Sequence, residues 1–267
     1  MTVVHHVPFR PRLKKSAREL LRLLLERLDL GRIAGERDVV AVKTHIGEAG
    51  NLAYIRPPYL AEVVRSLTDL GAKAFVTDST SLYTGRRQNG LDMIATAASH
   101  GFTRQVLGAP VLPADGLKGD DEVLVPSPVE GSPAVHLAGL TARADALVCV
   151  SHFKGHELTG FGGAIKNLSM GCSSKAGKFY MHTRSKPFID EERCIGCKRC
   201  LSWCAWEAIT IVDGTARIDE ERCTGCAHCL LACPVRAIAF RWDGASDEVQ
   251  RRMAEYSGAV IDAVESR

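Results

Sequence analysis

Long apolar runs are missing where a leader or membrane anchor would need one. Residues 10–30 are basic and leucine-rich, but the longest apolar run there is Leu23-Leu24-Leu25, interrupted by Arg22 and Glu26. That is too short for a secretory h-region and far too short for a membrane span. Leu20, Leu21, Leu24 and Leu28 instead share one face of an amphipathic helix. Packing on its own domain is the expectation for that helix, with membrane-surface or partner binding as the alternative. Strong net charge is lacking too: +3 over 267 residues leaves no footprint for nucleic acid. Nucleotide motifs are incomplete. Gly160 and Gly162 are followed by Ile165 where G-x-G-x-x-G needs its third glycine, and no flavin or nicotinamide motif is visible elsewhere. Gly171 and Gly177 have five residues between them, and Phe179 stands where a Walker A loop carries its hydroxyl. A secreted disulfide framework does not suit ten cysteines in so long a chain, whereas a reducing cytoplasm does.

What is present is a doubled cysteine motif. Cys194, Cys197, Cys200 and Cys204 read C-x2-C-x2-C-x3-C, and Cys223, Cys226, Cys229 and Cys233 repeat that spacing 29 residues later. Three thiolates on a tight loop hold three corners of a [4Fe-4S] cube, and the fourth crosses to the other cube. The expected sets are therefore Cys194, Cys197, Cys200 and Cys233 for the first, and Cys223, Cys226, Cys229 and Cys204 for the second. Zinc sites use separated C-x2-C pairs or added histidines, which this spacing does not match. A radical-SAM motif fails because Glu207 stands where C-x3-C-x2-C needs its last cysteine.

The repeat reaches beyond the cysteines. Asp190-Glu191-Glu192-Arg193 recurs as Asp219-Glu220-Glu221-Arg222, and Glu207-Ala208-Ile209 as Arg236-Ala237-Ile238. Each half reads as strand, loop, short helix and return strand, with Asp213-Gly214 turning between halves. Residues 186–243 resemble the bacterial two-cluster ferredoxins, with Cys204-Ala205 departing from the Cys-Pro seen at Cys233-Pro234.

The remainder reads as α/β: a mostly parallel sheet flanked by helices, joined to that small α+β module. Val39–Lys43, Ala74–Thr77, Val123–Val125 and Ala146–Val150 are short, apolar on both sides and separated by helical stretches, the pattern of buried parallel strands. Helices are expected at Pro58–Leu70 and Asn89–His100, each stopped by a glycine, while 110–135 reads mainly as loops around one short strand. The expected organisation is an α/β domain over 1–185, the cluster module over 186–243 and a helix over 244–267 packing back on the α/β domain.

Polar residues gather where these strands end, which is where open parallel sheets build sites. Lys43, His45 and Glu48 follow the first strand, Asp78-Ser79-Thr80 the second, and Ser151-His152-Phe153-Lys154-Gly155-His156-Glu157 the last. The segment 159–172 adds Gly162, Gly163, Lys166, Asn167 and Cys172, and 175–182 adds Lys175, Lys178 and His182. Glycine amides beside Lys166 favour an anion, phosphate or carboxylate, with turn-making as the plainer role for the glycines. His152, His156, Cys172 and His182 admit a mononuclear metal, or the histidines serve as loop or acid–base groups. Cys149 is expected as a buried filler, and Cys172, near Lys166 and Lys175, as a thiol of depressed pKa or a structural one.

These stretches resemble the domain of unknown function 362 family, in the branch carrying a ferredoxin module. The resemblance rests on Lys43–Glu48, Ser151–Glu157, Gly160–Asn167, Met170-Gly171-Cys172 and both cysteine motifs. It implies a cytosolic, cluster-bearing protein of anaerobic-type metabolism and assigns no substrate. The expectation is an iron–sulfur oxidoreductase that passes electrons from a redox partner protein through two cubes. Its ligand would lie near Lys43, His45, His152, His156, Lys166 and Cys172. The alternatives are a ferredoxin-type carrier whose α/β domain only docks partners, and a metal or cluster handling protein.

Overall fold

The computed structural model describes residues 3–8, 15–82, 85–156, 160–182, 187–204, 206–223, 228–239 and 246–266. An α/β body is built on a parallel sheet of four strands, β1 (Val39–Thr44), β2 (Lys73–Asp78), β3 (Val111–Pro113) and β6 (Ala146–Val150). Their order is β3-β2-β1-β6. Register puts Lys43 beside Thr77 on one side and Cys149 on the other, so the carboxyl ends of β1, β2 and β6 lie together. Val40, Ala41 and Val42 are sealed from solvent, as expected of a central strand covered on both faces.

The helices α1 (Ala17–Arg27), α2 (Pro57–Asp69), α3 (Gly90–Ser99) and α4 (Arg104–Leu107) contribute to one apolar core with Val40, Val42 and Val76. Local chemistry sets their ends. Ser16 and Glu19 form a capping box on α1, Pro57 occupies the first turn of α2, and Asn89 accepts the Asp92 N–H at the start of α3. α1 packs into this core through Leu25 and Leu21; of the expected face of Leu20, Leu21, Leu24 and Leu28, Leu20 is buried but Leu28 is exposed, and Leu25 lies outside that face. A buried carboxylate ties the two helices: Glu62 of α2 accepts from Arg22 Nε at 2.6 Å and from Arg18.

A second core lies around α10 (Ser246–Glu265), whose Val249, Met253, Tyr256 and Val260 meet Val135, Leu137, Met170 and Met181. Contributing to its surroundings are β4 (Glu122–Val125), β5 (Val135–Ala138), α5 (Gly139–Arg143) and α7 (Lys175–His182). β4 pairs antiparallel with β5, outside the parallel sheet. The expectation of a parallel strand at Val123–Val125 is thus corrected. The fourth parallel strand is β3, within the proline- and glycine-rich stretch read as loop. It has three residues and ends on Pro113, which an edge strand tolerates because no neighbour needs the missing N–H.

The described residues between 187 and 239 repeat one backbone pattern. β9 (Phe188–Ile189) pairs antiparallel with β12 (Ile238–Ala239), and β10 (Ile209–Val212) with β11 (Thr215–Ile218). Asp213 (φ 49°) and Gly214 (φ 79°) turn the hairpin, both in the left-handed region that a two-residue I′ connection requires. The short helices are α8 (Arg199–Ser202) and α9 (His228–Ala232). Matching bonds relate the halves: Asp190 N–H donates to Ala237 O (2.7 Å) and Asp219 N–H to Ala208 O (2.8 Å). Glu207 and Arg236, at equivalent positions, both have positive φ.

Candidate functional site

Beyond the ends of β1 and β2, beside β6, lies a pocket of about 230 Å³. One wall comes from the hairpin of β7 (Lys154–His156) and β8 (Gly160–Gly162) and from α6 (Ala164–Leu168). His45, His152, Lys166, Asn167, Gly162 and Gly163, taken from three separate sequence segments, all line it. Glu48, Asp78, Arg87, Lys154 and Lys178 add charge to its lining, with Leu82 and Met170 as apolar contributors.

Asp78 organises the floor. Its Oδ1 accepts from Lys43 Nζ (2.9 Å) and the Ser79 N–H (3.0 Å), while Oδ2 accepts from Arg87 Nη1 (2.7 Å) and lies 3.2 Å from His45 Nδ1. Burial alone would raise this carboxyl, but Lys43, Arg87 and His45 outweigh it and hold Asp78 well below the usual carboxylate range. Lys43 is therefore not a ligand-facing lysine, as its position in the sequence suggested. It is fully buried, with its ammonium also donating to Thr44 O and Asn167 Oδ1. Gly171 covers it closely, since a Cβ there would come within 2.5 Å of Nζ.

Asn167 is a strut. Its Nδ2 donates to Ser151 Oγ (2.8 Å) and Val150 O (3.3 Å), which ties α6 to the end of β6. α6 has only five residues, so its dipole is weak and the positive character of this wall comes from Lys154 and Lys166. Burial and then the neighbouring Lys154 bring Lys166 down to about 8. Burial, followed by Lys154 and His45, also lowers the pKa of His152, so its imidazole is neutral near pH 7. His152 Nε2 is a buried atom with no hydrogen-bond partner among the described residues, and the same is true of Arg87 Nε. Such nitrogens cost free energy unless a ligand or water meets them.

Other expectations are corrected. Cys172 is wholly buried, and burial pushes its thiol up to about 12 despite the pull of Lys43, so it is no exposed thiolate. Lys166 and Lys175 do not activate it. Lys175 is itself buried, donating to Gln88 O and Lys118 O. Cys149 is half-buried rather than sealed because β6 is a sheet edge, and its sulfur accepts from Asn167 Nδ2. The His156 and His182 side chains, Glu157 and Cys226 lie outside the described residues. Arg87 is the residue sequence reasoning missed. It follows no periodic pattern, and nothing local foretells its burial between Asp78 and Glu48.

In the repeated segment, Cys194, Cys197, Cys200 and Cys233 line one small cavity together with Ile189, Ile211 and Ile238. Burial raises the Cys200 thiol, and Cys197, Cys194 and Cys233 are near enough to add to that. Main-chain N–H groups point at the sulfurs: Ala216 to Cys194 (3.4 Å), Ala237 to Cys233 (3.2 Å) and, in the other half, Ala208 to Cys204 (3.3 Å). Among the described residues no three His, Cys, Asp or Glu side chains gather around a single ion-sized point. Thiolates that bind separate corners of a cube do not need to.

Residues 40–264 match the family described as Domain of unknown function (DUF362). The chain belongs to the DUF362 family. No curated protein matches it. Among solved structures, this DUF362 chain resembles the lactate racemase apoprotein from Thermoanaerobacterium thermosaccharolyticum. Sequence identity is 13%, 88% of this chain and 54% of that one are covered, and the TM-score is 0.39. The chain thus spans about half the length of that racemase, and so slight a likeness carries no chemistry across. No described helix is long and apolar enough to cross a membrane.

Proposed function

We propose that this DUF362 protein is an iron–sulfur oxidoreductase in which two [4Fe-4S] clusters deliver low-potential electrons to an anionic ligand held in the pocket of the α/β domain. The single observation that carries the cluster half is the joint lining of one cavity by Cys194, Cys197, Cys200 and Cys233, three from one motif and the fourth from the other. Apolar walls and N–H groups aimed at sulfur suit thiolate-bound cubes, whose potentials respond to both. The equivalent set is Cys223, Cys226, Cys229 and Cys204. When bound, such clusters supply electrons one at a time at negative potential.

The chain's own residues do the remaining work. Arg87, Lys154, Lys166 and Lys178 outnumber Asp78 and Glu48 around the pocket, which favours a carboxylate or phosphate group. His152, neutral and with Nε2 unpartnered, gives or takes a proton at the ligand. Asp78 orients His45, and Lys43 and Asn167 brace the floor. A carrier whose α/β domain served only for docking would have no use for a buried, unpartnered His152 nitrogen beside an accessible pocket. A handling site built on Cys172 is disfavoured by the burial of that thiol.

Anaerobic purification followed by iron and sulfide analysis tests the reading, with about eight of each expected per chain. About four irons, or stoichiometric zinc, would remove the two-cluster claim.

A further inference from the structure

The pocket is larger than the simplest anions its lysines could hold. At about 230 Å³ it has room for several waters, far more than one phosphate or acetate occupies. Cationic groups also line it on two sides. On the β6 side stand Lys154, in the hairpin that follows β6, and Lys166, on the helix that Asn167 ties to the end of that strand. On the β2–β3 side stand Arg87, bound to Asp78 at the end of β2, and Lys178, 3.3 Å from Asp115 just past the end of β3. The strand order β3-β2-β1-β6 puts the end of β1, with His45, between the two groups. Neighbouring strands lie about 4.8 Å apart, so the ends of β2 and β6 are separated by about 10 Å.

The β2–β3 side keeps positive charge in excess after its internal pairing. Asp78 and Glu48 answer Lys43 and Arg87, whereas Lys175 and Lys178 share Asp115. Among the described buried or pocket-lining groups there, four cations thus stand against three carboxylates. Asp120 also acts on Lys175, but more weakly and from the exposed surface. Lys178 donates to Asp115 Oδ2 and Ser173 O, and an ammonium carries a third N–H. Each side also has a buried nitrogen with no partner among the described residues, His152 Nε2 by β6 and Arg87 Nε by β2. We propose that the pocket ligand is two-headed: a short dicarboxylate or phosphorylated carboxylate with one anionic group at Lys154 and Lys166 and the other at Lys178 and Arg87. The inference rests on the anionic-ligand half of the proposed function and does not depend on the clusters.

Calorimetric titration of the anaerobically purified full chain, near neutral pH and at low salt, tests it with glutarate and phosphonopropionate. Valerate is the control with glutarate's chain and one carboxylate, and inorganic phosphate the control with its charge on one group. The better two-headed probe is expected to bind about tenfold tighter, or more, than either control, and which is better identifies the second group. Glutarate should also bind tighter than malonate, whose carboxylates are too close together to reach both sides. Lys178→Met, with folding checked by circular dichroism, should remove the two-headed advantage. Neither two-headed probe binding tighter than the controls, malonate equal to glutarate, or an advantage that survives in folded Lys178→Met would overturn the proposal. If Lys178→Met does not fold, the wild-type series decides alone. No binding of any of these anions would instead sink the anionic-pocket reading, and this inference with it.

Discussion

The ammonium of Lys43 lies 2.9 Å from Oδ1 of Asp78, and both side chains are almost completely shielded from water. A lysine at the end of a parallel strand looks, in sequence, like a ligand-binding group. Here its charge is spent inside the protein, and the lysines that line the pocket beside α6 are Lys154 and Lys166 instead. Lys43→Met should therefore act on stability first, at a cost of about 3 kcal/mol, since it withdraws one partner from a buried carboxylate that keeps Arg87. Asp78→Asn should cost more, because it leaves two buried cations short of a counter-charge. Denaturant unfolding of the two variants checks that order.

Lys166 is expected to govern anion affinity. Calorimetric titration with inorganic phosphate or acetate should weaken about ten- to a hundredfold in Lys166→Ala. Lys166 is charged below about 8 and loses its proton above it, so wild-type affinity should fall as pH rises through that value. If His152 supplied the charge, the weakening would begin below pH 6.5, its affinity being lost as the pH rises from acid. A profile flat to pH 9 would count against Lys166.

Cys172 should resist alkylation. With its thiol pushed up to about 12, the thiolate is scarce at pH 8, and the buried sulfur donates towards Asn167 O. Mass mapping after iodoacetamide treatment under argon is expected to find Cys172 unmodified until denaturant is added. Rapid native labelling would restore it as a reactive candidate.

Glu62 should matter most near neutrality and least in strong acid. Hydrogen bonds from Arg22 and Arg18 overcome burial and lower its carboxyl to about 2. Its contribution is thus complete above the ordinary value of 4.5 and disappears as pH falls through about 2. Glu62→Gln should cost about 1–3 kcal/mol at pH 7. The gap between variant and wild type, followed by urea unfolding, should close towards pH 2.

The proposed crossed ligation would make a distant cysteine matter. Cys233→Ser is expected to damage the cluster of Cys194, Cys197 and Cys200, because the four share one cavity. Loss of the signal that Cys223→Ser also removes, with the other intact, would contradict the crossing.

The central architecture was legible because β1, β2 and β6 are apolar runs that need cover on both faces, and because Gly71 and Gly101 stop α2 and α3 in left-handed conformations. β3 was not, since three edge residues ending in proline carry no periodic signal. β4 was mistaken for its neighbour in kind: an apolar triplet says strand but not which partner it pairs with. The candidate site was legible as a set of strand ends, from which His45, His152 and Lys166 do converge. The division of labour was not. Whether a lysine lines an open pocket, as Lys166 does, or meets a buried aspartate, as Lys43 does, depends on tertiary distances that spacing cannot encode.

The pairing of β9 with β12 has a consequence for how the chain could be edited. Residues 189 and 238 are direct partners, so the two ends of the cysteine-bearing stretch lie side by side. α10, which comes after it, nonetheless completes the core around Val135 and Leu137. The stretch therefore has the layout of a cassette set into a loop. Replacing residues 188–245 by a short flexible linker should yield a body that still folds around α10 and binds phosphate or acetate, without the two cysteine motifs and without the Leu230 side chain packed on Leu82.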